Sequence, residues 1–173
     1  MSLRERLIEA IGFHDGHADN WAVFRNGELL RDVAGAMAEP FRNDGVTSVV
    51  AVESRGFVLG AAVALQLGVG FVAVRKPGGL FAGEKLEVRA AADYRGNEWT
   101  LRMQRAAVAP GDRLLLVDDW IETGSQARAV KRLVKMCGGE LAGVAAMVDQ
   151  SSPETRAGFA KFVALVRADE LQR

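Results

Sequence analysis

The chain has 173 residues, a formal net charge of zero from 22 basic and 22 acidic side chains, and 49% hydrophobic residues. That length supports one domain with a sizeable core, and the balanced charge argues against a nucleic-acid binder built on a broad basic face. The single cysteine, Cys137, excludes an internal disulfide or a cysteine-rich metal cluster. No apolar run approaches the roughly 18 residues of a membrane-spanning helix, and the start, Met1 to Arg6, lacks the apolar core of a secretory signal. The expectation is a cytoplasmic protein with neither a membrane nor a nucleic acid as partner.

Leu3, Leu7, Ile8 and Ile11 fall at helical spacing and predict a helix over the first dozen residues. Gly12 to Asn20 reads as a polar turn that holds His14 and His17; no third ligand lies near enough in sequence to make that pair a metal site. Trp21 to Arg25 reads as a short strand and Asn26-Gly27 as a turn. Leu29, Leu30, Val33, Ala34, Met37 and Phe41 form one helical face, with Pro40 near its end. Val46 to Val52 is the first core strand, Ser54-Arg55-Gly56 turns the chain, Phe57 to Leu67 is a helix closed by Gly68, and Val69 to Val74 is the next strand. Together they predict a right-handed βαβ unit.

Lys76 to Lys85 carries Pro77, Gly78, Gly79 and Gly83 without apolar periodicity and predicts a mobile loop. The alternating runs Leu86 to Ala90 and Trp99 to Met103, with Arg95-Gly96-Asn97 between them, predict an antiparallel hairpin. Leu114 to Val117 reads as a strand buried on both faces, which ends at Asp118-Asp119. A helix then starts at about Ser125, carries Ala127, Val130, Leu133, Val134 and Cys137, and stops at Gly138-Gly139. Leu141 to Val148 is a strand, Ser151 to Thr155 a helix start, and Phe162 to Val166 a final strand.

In an open α/β sheet, ligands gather beyond the carboxyl ends of the strands. Three predicted strand ends carry chemistry: Glu53-Ser54-Arg55-Gly56, Arg75-Lys76-Pro77-Gly78 and Asp118-Asp119. Parallel neighbours would bring to one edge cations for a pyrophosphate and carboxylates for the vicinal hydroxyls of a ribose. The helix start near Thr123, Gly124, Ser125 and Gln126 adds backbone N–H groups and hydroxyls for a monophosphate.

The string from Leu114 to Ala127 resembles the phosphoribosyl-diphosphate (PRPP) motif of type I phosphoribosyltransferases: four apolar residues, two acids, two apolar residues, then x-Thr-Gly-small. Val49 to Gly60 and Gly70 to Leu80 are similar to two segments of the adenine phosphoribosyltransferases, acid-small-Arg-Gly-Phe and Arg-Lys-Pro-Gly-Lys-Leu. The resemblance implies the type I phosphoribosyltransferase, Rossmann-like α/β fold. Its central, mostly parallel sheet would be flanked by helices, with a flexible β-hairpin loop, in one domain over residues 1–173 whose small N-terminal hood comes mainly from 1–45. It implies a magnesium-dependent reaction in which a purine, adenine first and a 6-oxopurine second, takes the phosphoribosyl group of PRPP and releases pyrophosphate. It also implies a homodimer.

Carried onto this sequence, the resemblance makes Ser54, Arg55, Gly56, Arg75, Lys76, Asp118, Asp119, Thr123, Gly124, Ser125 and Gln126 the PRPP site. Asp119 and Arg75 would take part in catalysis, and Mg²⁺ would be held mainly by PRPP and water rather than by the protein. Val23-Phe24-Arg25 is similar to the family's base-binding Val-Phe-Arg, although the surrounding Pro-Gly and Asp are missing. The family's Ala-Thr-Gly-Gly-Thr is here Glu122-Thr123-Gly124-Ser125-Gln126, and Glu122 stands where 6-oxopurine enzymes carry an aspartate that contacts the base. Glu122 is therefore the candidate for a base contact or general acid/base, with Asp93, in a loose match to a family Glu-Tyr-Gly string, as the other. Two alternatives remain at this point: a PRPP- or nucleotide-sensing module without turnover, and a transferase with a non-purine acceptor.

Overall fold

The computed structural model describes residues 1–78, 81–91 and 99–171. Helix α1 (Leu3–Ala10) starts at a capping box: the Ser2 hydroxyl accepts the Glu5 N–H while the Glu5 carboxylate accepts the Ser2 N–H. A small hairpin follows, β1 (Phe13–His14) and β2 (His17–Ala18), where a polar turn was expected. Next come α2 (Trp21–Phe24) and α3 (Gly27–Ala38), the latter capped by the Asn26 side chain, which accepts the Leu29 N–H. The strand expected over Trp21 to Arg25 is thus a single helical turn, closed by the Arg25 N–H on the Trp21 carbonyl at 3.0 Å. Over four residues, one buried side chain at Val23 satisfies either periodicity, and packing decides.

The body follows in order: β3 (Ser48–Val52), α4 (Arg55–Leu67), β4 (Gly70–Arg75), β5 (Lys85–Arg89), β6 (Thr100–Gln104), β7 (Arg113–Ile121), α5 (Ser125–Met136), β8 (Glu140–Asp149), α6 (Pro153–Ala157) and β9 (Phe162–Arg167). One seven-stranded sheet has the order β5-β6-β4-β3-β7-β8-β9. The five strands from β4 to β9 in that order are parallel, whereas β6 runs antiparallel to both β4 and β5. The expected hairpin is therefore part of the sheet and forms one of its two edges, with β9 at the other. Along β5, Leu86 is buried while Lys85, Glu87 and Arg89 are exposed. The turn expected at Arg95-Gly96-Asn97, and Asp93 with it, lies outside the described residues.

Strand alternation divides the core in two. Val49, Leu115 and Val117 pack with α1, α3 and α4 on one face, while Val50, Val52, Leu114 and Leu116 pack with α5 on the other. Helix α4 lies close against the sheet: a Cβ on Gly60 would sit 2.7 Å from a Phe71 ring carbon and 2.9 Å from the Ala51 methyl. From β3 the chain moves outward to β4 and the edge hairpin, then returns to β7 on the other side of β3. The strand order reverses between β3 and β7, and a crevice opens beyond their carboxyl ends.

Candidate active site

A cleft of about 1250 Å³ occupies that crevice. The segment after β3 lines it with Ser54, Arg55 and Gly56, the segment after β4 with Lys76, and β7 with Asp118 and Asp119. The start of α5 adds Glu122, Thr123, Gly124, Ser125 and Gln126. Arg75, expected in the site, is not part of this lining; its Nε lies 3.0 Å from Oε2 of Glu53, which is. Val23, Phe24 and Arg25 do not line the cleft: Val23 is fully buried in the core, Phe24 packs against that core, and the exposed Arg25 lies 3.4 Å from Asp19. The hood instead turns Phe13, His17, Asn20 and Trp21 toward it. Helix α2 explains the difference, because it carries Trp21 outward and Val23 inward.

The two aspartates do not follow a strand end, as the sequence suggested; they sit within β7, which runs on to Ile121. Successive side chains on a strand point to opposite faces, and the two carboxylates have different surroundings. Asp119 is buried, its Oδ2 accepting the Asn20 Nδ2–H at 2.6 Å and lying 2.9 Å from Arg55 Nε. Asp118 is half-buried and its Oδ1 accepts the Asp119 backbone N–H at 2.9 Å. Loss of hydration pushes the Asp118 carboxyl well above the usual range, and the negative charge of Asp119 pushes it further. The Asp119 N–H and the positive charge of Lys76 oppose that shift without cancelling it.

Glu53 ties two of the strand ends together. Its Oε1 accepts the Lys76 N–H at 2.6 Å, and its Oε2 accepts Arg75 Nε–H at 3.0 Å. Lys76 Nζ lies 4.8 Å from the centre of the Trp99 ring, a cation–π contact at the cleft wall. Cationic groups thus approach the cleft from the β3 and β4 sides, and Glu53, which holds Arg75 and the Lys76 backbone, lines the same cleft as the start of α5.

The α5 side of the cleft is built largely by backbone. Gly124 precedes α5 with φ +71°, a left-handed conformation, and no side chain caps the helix. A Cβ there would also fall 2.4 Å from the Thr155 methyl, so α6 closes the turn from outside. The Thr123 hydroxyl accepts the Ser125 N–H at 3.3 Å, and Thr155 Oγ1 donates to the Thr123 carbonyl at 3.3 Å. A helix of twelve residues, whose N-cap glycine has no side chain and whose Ser125 N–H alone is met by Thr123, therefore turns its first turn and its partial positive charge to the cleft.

Sequence reasoning passed over Asn20, Trp120 and Gln150, which also line the cleft. Trp120 Nε1 donates to Gln150 Oε1 at 3.0 Å, joining the ends of β7 and β8. No periodicity or spacing marks these residues; only the extension of β7 past the aspartates could have suggested Trp120. His14 and His17 face each other across the β1–β2 hairpin. Among the described residues, no three His, Cys, Asp or Glu side chains gather as a metal cage.

A crevice with an acidic strand, flanking cations and an open helix start suits a sugar bearing phosphate at both ends. The sequence profile of the phosphoribosyl transferase domain matches residues 20–164, and the chain belongs to that family, as a PRPP-dependent phosphoribosyltransferase. Within the family it is homologous to the adenine phosphoribosyltransferases. It is 38% identical over 134 residues to the adenine phosphoribosyltransferase of Aeromonas salmonicida (strain A449), covering 78% of this chain and 72% of that one. To that of Clostridium perfringens (strain SM101 / Type A) it is 41% identical over 131 residues, 76% of this chain and 74% of the other. The crystal structure of adenine phosphoribosyltransferase from Rhodothermus marinus DSM 4252 shares its fold with a TM-score of 0.82 at 34% identity, covering 95% and 98% of the two chains. The type I phosphoribosyltransferase fold expected from the motifs is the fold observed.

Proposed function

We propose that the enzyme converts adenine and PRPP to AMP and pyrophosphate, with Mg²⁺, as a homodimer. The bond from adenine N9 to ribose C1 forms as the bond from C1 to the diphosphate oxygen breaks. The bonding pair leaves with pyrophosphate, and the N9 proton of adenine passes to water. The observation that carries this reading is the meeting of three strand ends and one helix start around a single cleft. In it, Thr123, Gly124, Ser125 and Gln126 bind the 5-phosphate through the α5 start. Asp118 and Asp119 accept hydrogen bonds from the ribose hydroxyls. Ser54, Arg55, Gly56, Arg75 and Lys76 hold the pyrophosphate and stabilise the charge it gains on leaving. Trp21, half exposed in the hood, offers a ring face to the base.

Mg²⁺ fits this donor set as an ion carried chiefly by the diphosphate and water. Asp118 stands where burial and a neighbouring carboxylate disfavour its charged form, and a nearby dication relieves both. When bound, the ion neutralises charge on the leaving diphosphate. The homodimer is supported by the family resemblance, and light scattering on the purified protein measures it.

A second reading has one observation in its favour: Glu122 lines the cleft beside the α5 start, where 6-oxopurine enzymes use an acid on the base. One assay separates the two. PRPP and Mg²⁺ are supplied with adenine, hypoxanthine, guanine, xanthine or orotate in turn. Adenine is expected to be preferred in kcat/KM by about 10²-fold or more. Preference for a 6-oxopurine overturns the adenine assignment, and no nucleotide from any purine overturns the acceptor class.

A further inference from the structure

We propose that Asn20 is a specificity-determining residue of this cleft, whose side-chain oxygen accepts a hydrogen bond from an N–H or O–H group of the bound nucleotide. The inference rests on the nucleotide-forming reading above and deepens it. Asn20 lines the cleft yet is only 1% exposed. Its Nδ2 donates to Asp119 Oδ2 at 2.6 Å. An ionised carboxylate only accepts, so turning the amide over would set two oxygens against each other; the orientation is imposed by Asp119.

The oxygen, Oδ1, is the atom left over. It is buried and has no hydrogen-bond partner among the described residues. An asparagine just before a helix ordinarily spends this oxygen on a backbone N–H of the first turn. Asn20 immediately precedes α2 and makes no such bond, because its own backbone is already helical at φ −67° and ψ −18°. A buried acceptor without a donor is costly, and such groups in folded proteins ordinarily have a partner. Asn20 belongs to the cleft wall, so a ligand seated there, with a small shift of the wall, supplies the missing donor.

The chemistry of that partner is constrained. Phosphate oxygens are acceptors and are repelled by Oδ1, so the partner is a donor. Two groups of the nucleotide qualify. One is a ribose hydroxyl, since the amide is anchored on an aspartate assigned to the ribose. The other is the exocyclic amine of adenine, since the next residue, Trp21, also lines the cleft and is the ring proposed above to meet the base. Both supply the same interaction, and removal of each from the ligand tells them apart.

The test measures Kd by calorimetry for AMP, 2′-deoxy-AMP, 3′-deoxy-AMP and purine riboside 5′-monophosphate, on the full chain and on Asn20→Leu. On the unmodified protein, the analogue without the paired donor is expected to bind about three- to ten-fold more weakly than AMP. In Asn20→Leu that analogue and AMP bind alike, while the other analogues keep whatever penalty they had. Loss of the penalty for a deoxy analogue assigns the hydroxyl; loss for the purine nucleotide assigns the amine. Penalties that are the same in both proteins overturn the proposal. Failure of AMP to bind the unmodified protein overturns the nucleotide-forming reading itself. Should Asn20→Leu not fold, Asn20→Ala carries the same comparison.

Discussion

Asp118 is held in the cleft against its own chemistry, since burial and the charge of Asp119 favour its neutral form. A carboxyl whose affinity for its proton is higher in the folded than in the unfolded state contributes stability at low pH and loses it as pH rises through the folded value. Asp118→Asn is therefore expected to melt higher than the parent at pH 8, with the gap closing as pH falls toward about 3.9, the unfolded value. The same variant is expected to lose about three- to ten-fold in PRPP affinity, the worth of one hydrogen bond from a ribose hydroxyl to an uncharged acceptor. Parallel melting curves and PRPP titrations across pH check both halves. Glu122→Ala, by contrast, is expected to lower kcat more than PRPP affinity if Glu122 acts on the base; steady-state kinetics with PRPP varied reads the split. At this scale the legible residues were those in strings: acid-acid, Thr-Gly-Ser and Arg-Lys-Pro each restrict chemistry by their neighbours. Asn20 was illegible because its significance comes from Asp119, ninety-nine positions away. Val23-Phe24-Arg25 misled because a three-residue likeness carries no information about which way a helical turn faces.

At the scale of the element, the start of α5 depends on one residue that lacks a side chain. Gly124→Ala places a Cβ both in a left-handed conformation and against the Thr155 methyl. The backbone cost alone is about 1–2 kcal/mol. The expected outcome is a lower midpoint in urea unfolding together with weakened PRPP binding, because the turn that aims the helix N–H groups must shift. Thr155→Ala removes the methyl obstacle and is expected to recover part of the loss in the double variant. The long elements were readable for simple reasons. Strands β3, β7 and β8 are apolar on both faces, so continuous runs mark them, and α5 repeats its apolar residues at helical spacing. Short elements were not: β1, β2 and α2 span four residues or fewer, below the length at which either period declares itself. The end of β7 was set too early because charged residues look like a strand's exit, while here the pairing with β8 carries Asp118 and Trp120 along.

For the whole molecule, ligand linkage gives the clearest expectation. A ligand at about a hundred times its Kd adds about 2.7 kcal/mol to folding, which for a chain of this size is a rise in Tm of about 5–10 °C. PRPP with Mg²⁺ is expected to produce that rise, and PRPP with EDTA to produce less, in scanning fluorimetry. The α/β class was legible because strands and helices alternate along the chain. The place of the hairpin at the sheet edge was not, because sequence alternation shows that β5 and β6 pair with each other and not that β6 also pairs with β4.

That edge has a further effect. A sheet border left open invites a strand from another molecule, which is the first step of fibril growth. Here the newcomer would have to strip water from Lys85, Glu87 and Arg89 to reach the β5 backbone. On the β5 side, though not at β9 on the other border, these charges disfavour the addition of a strand whether or not substrate is bound.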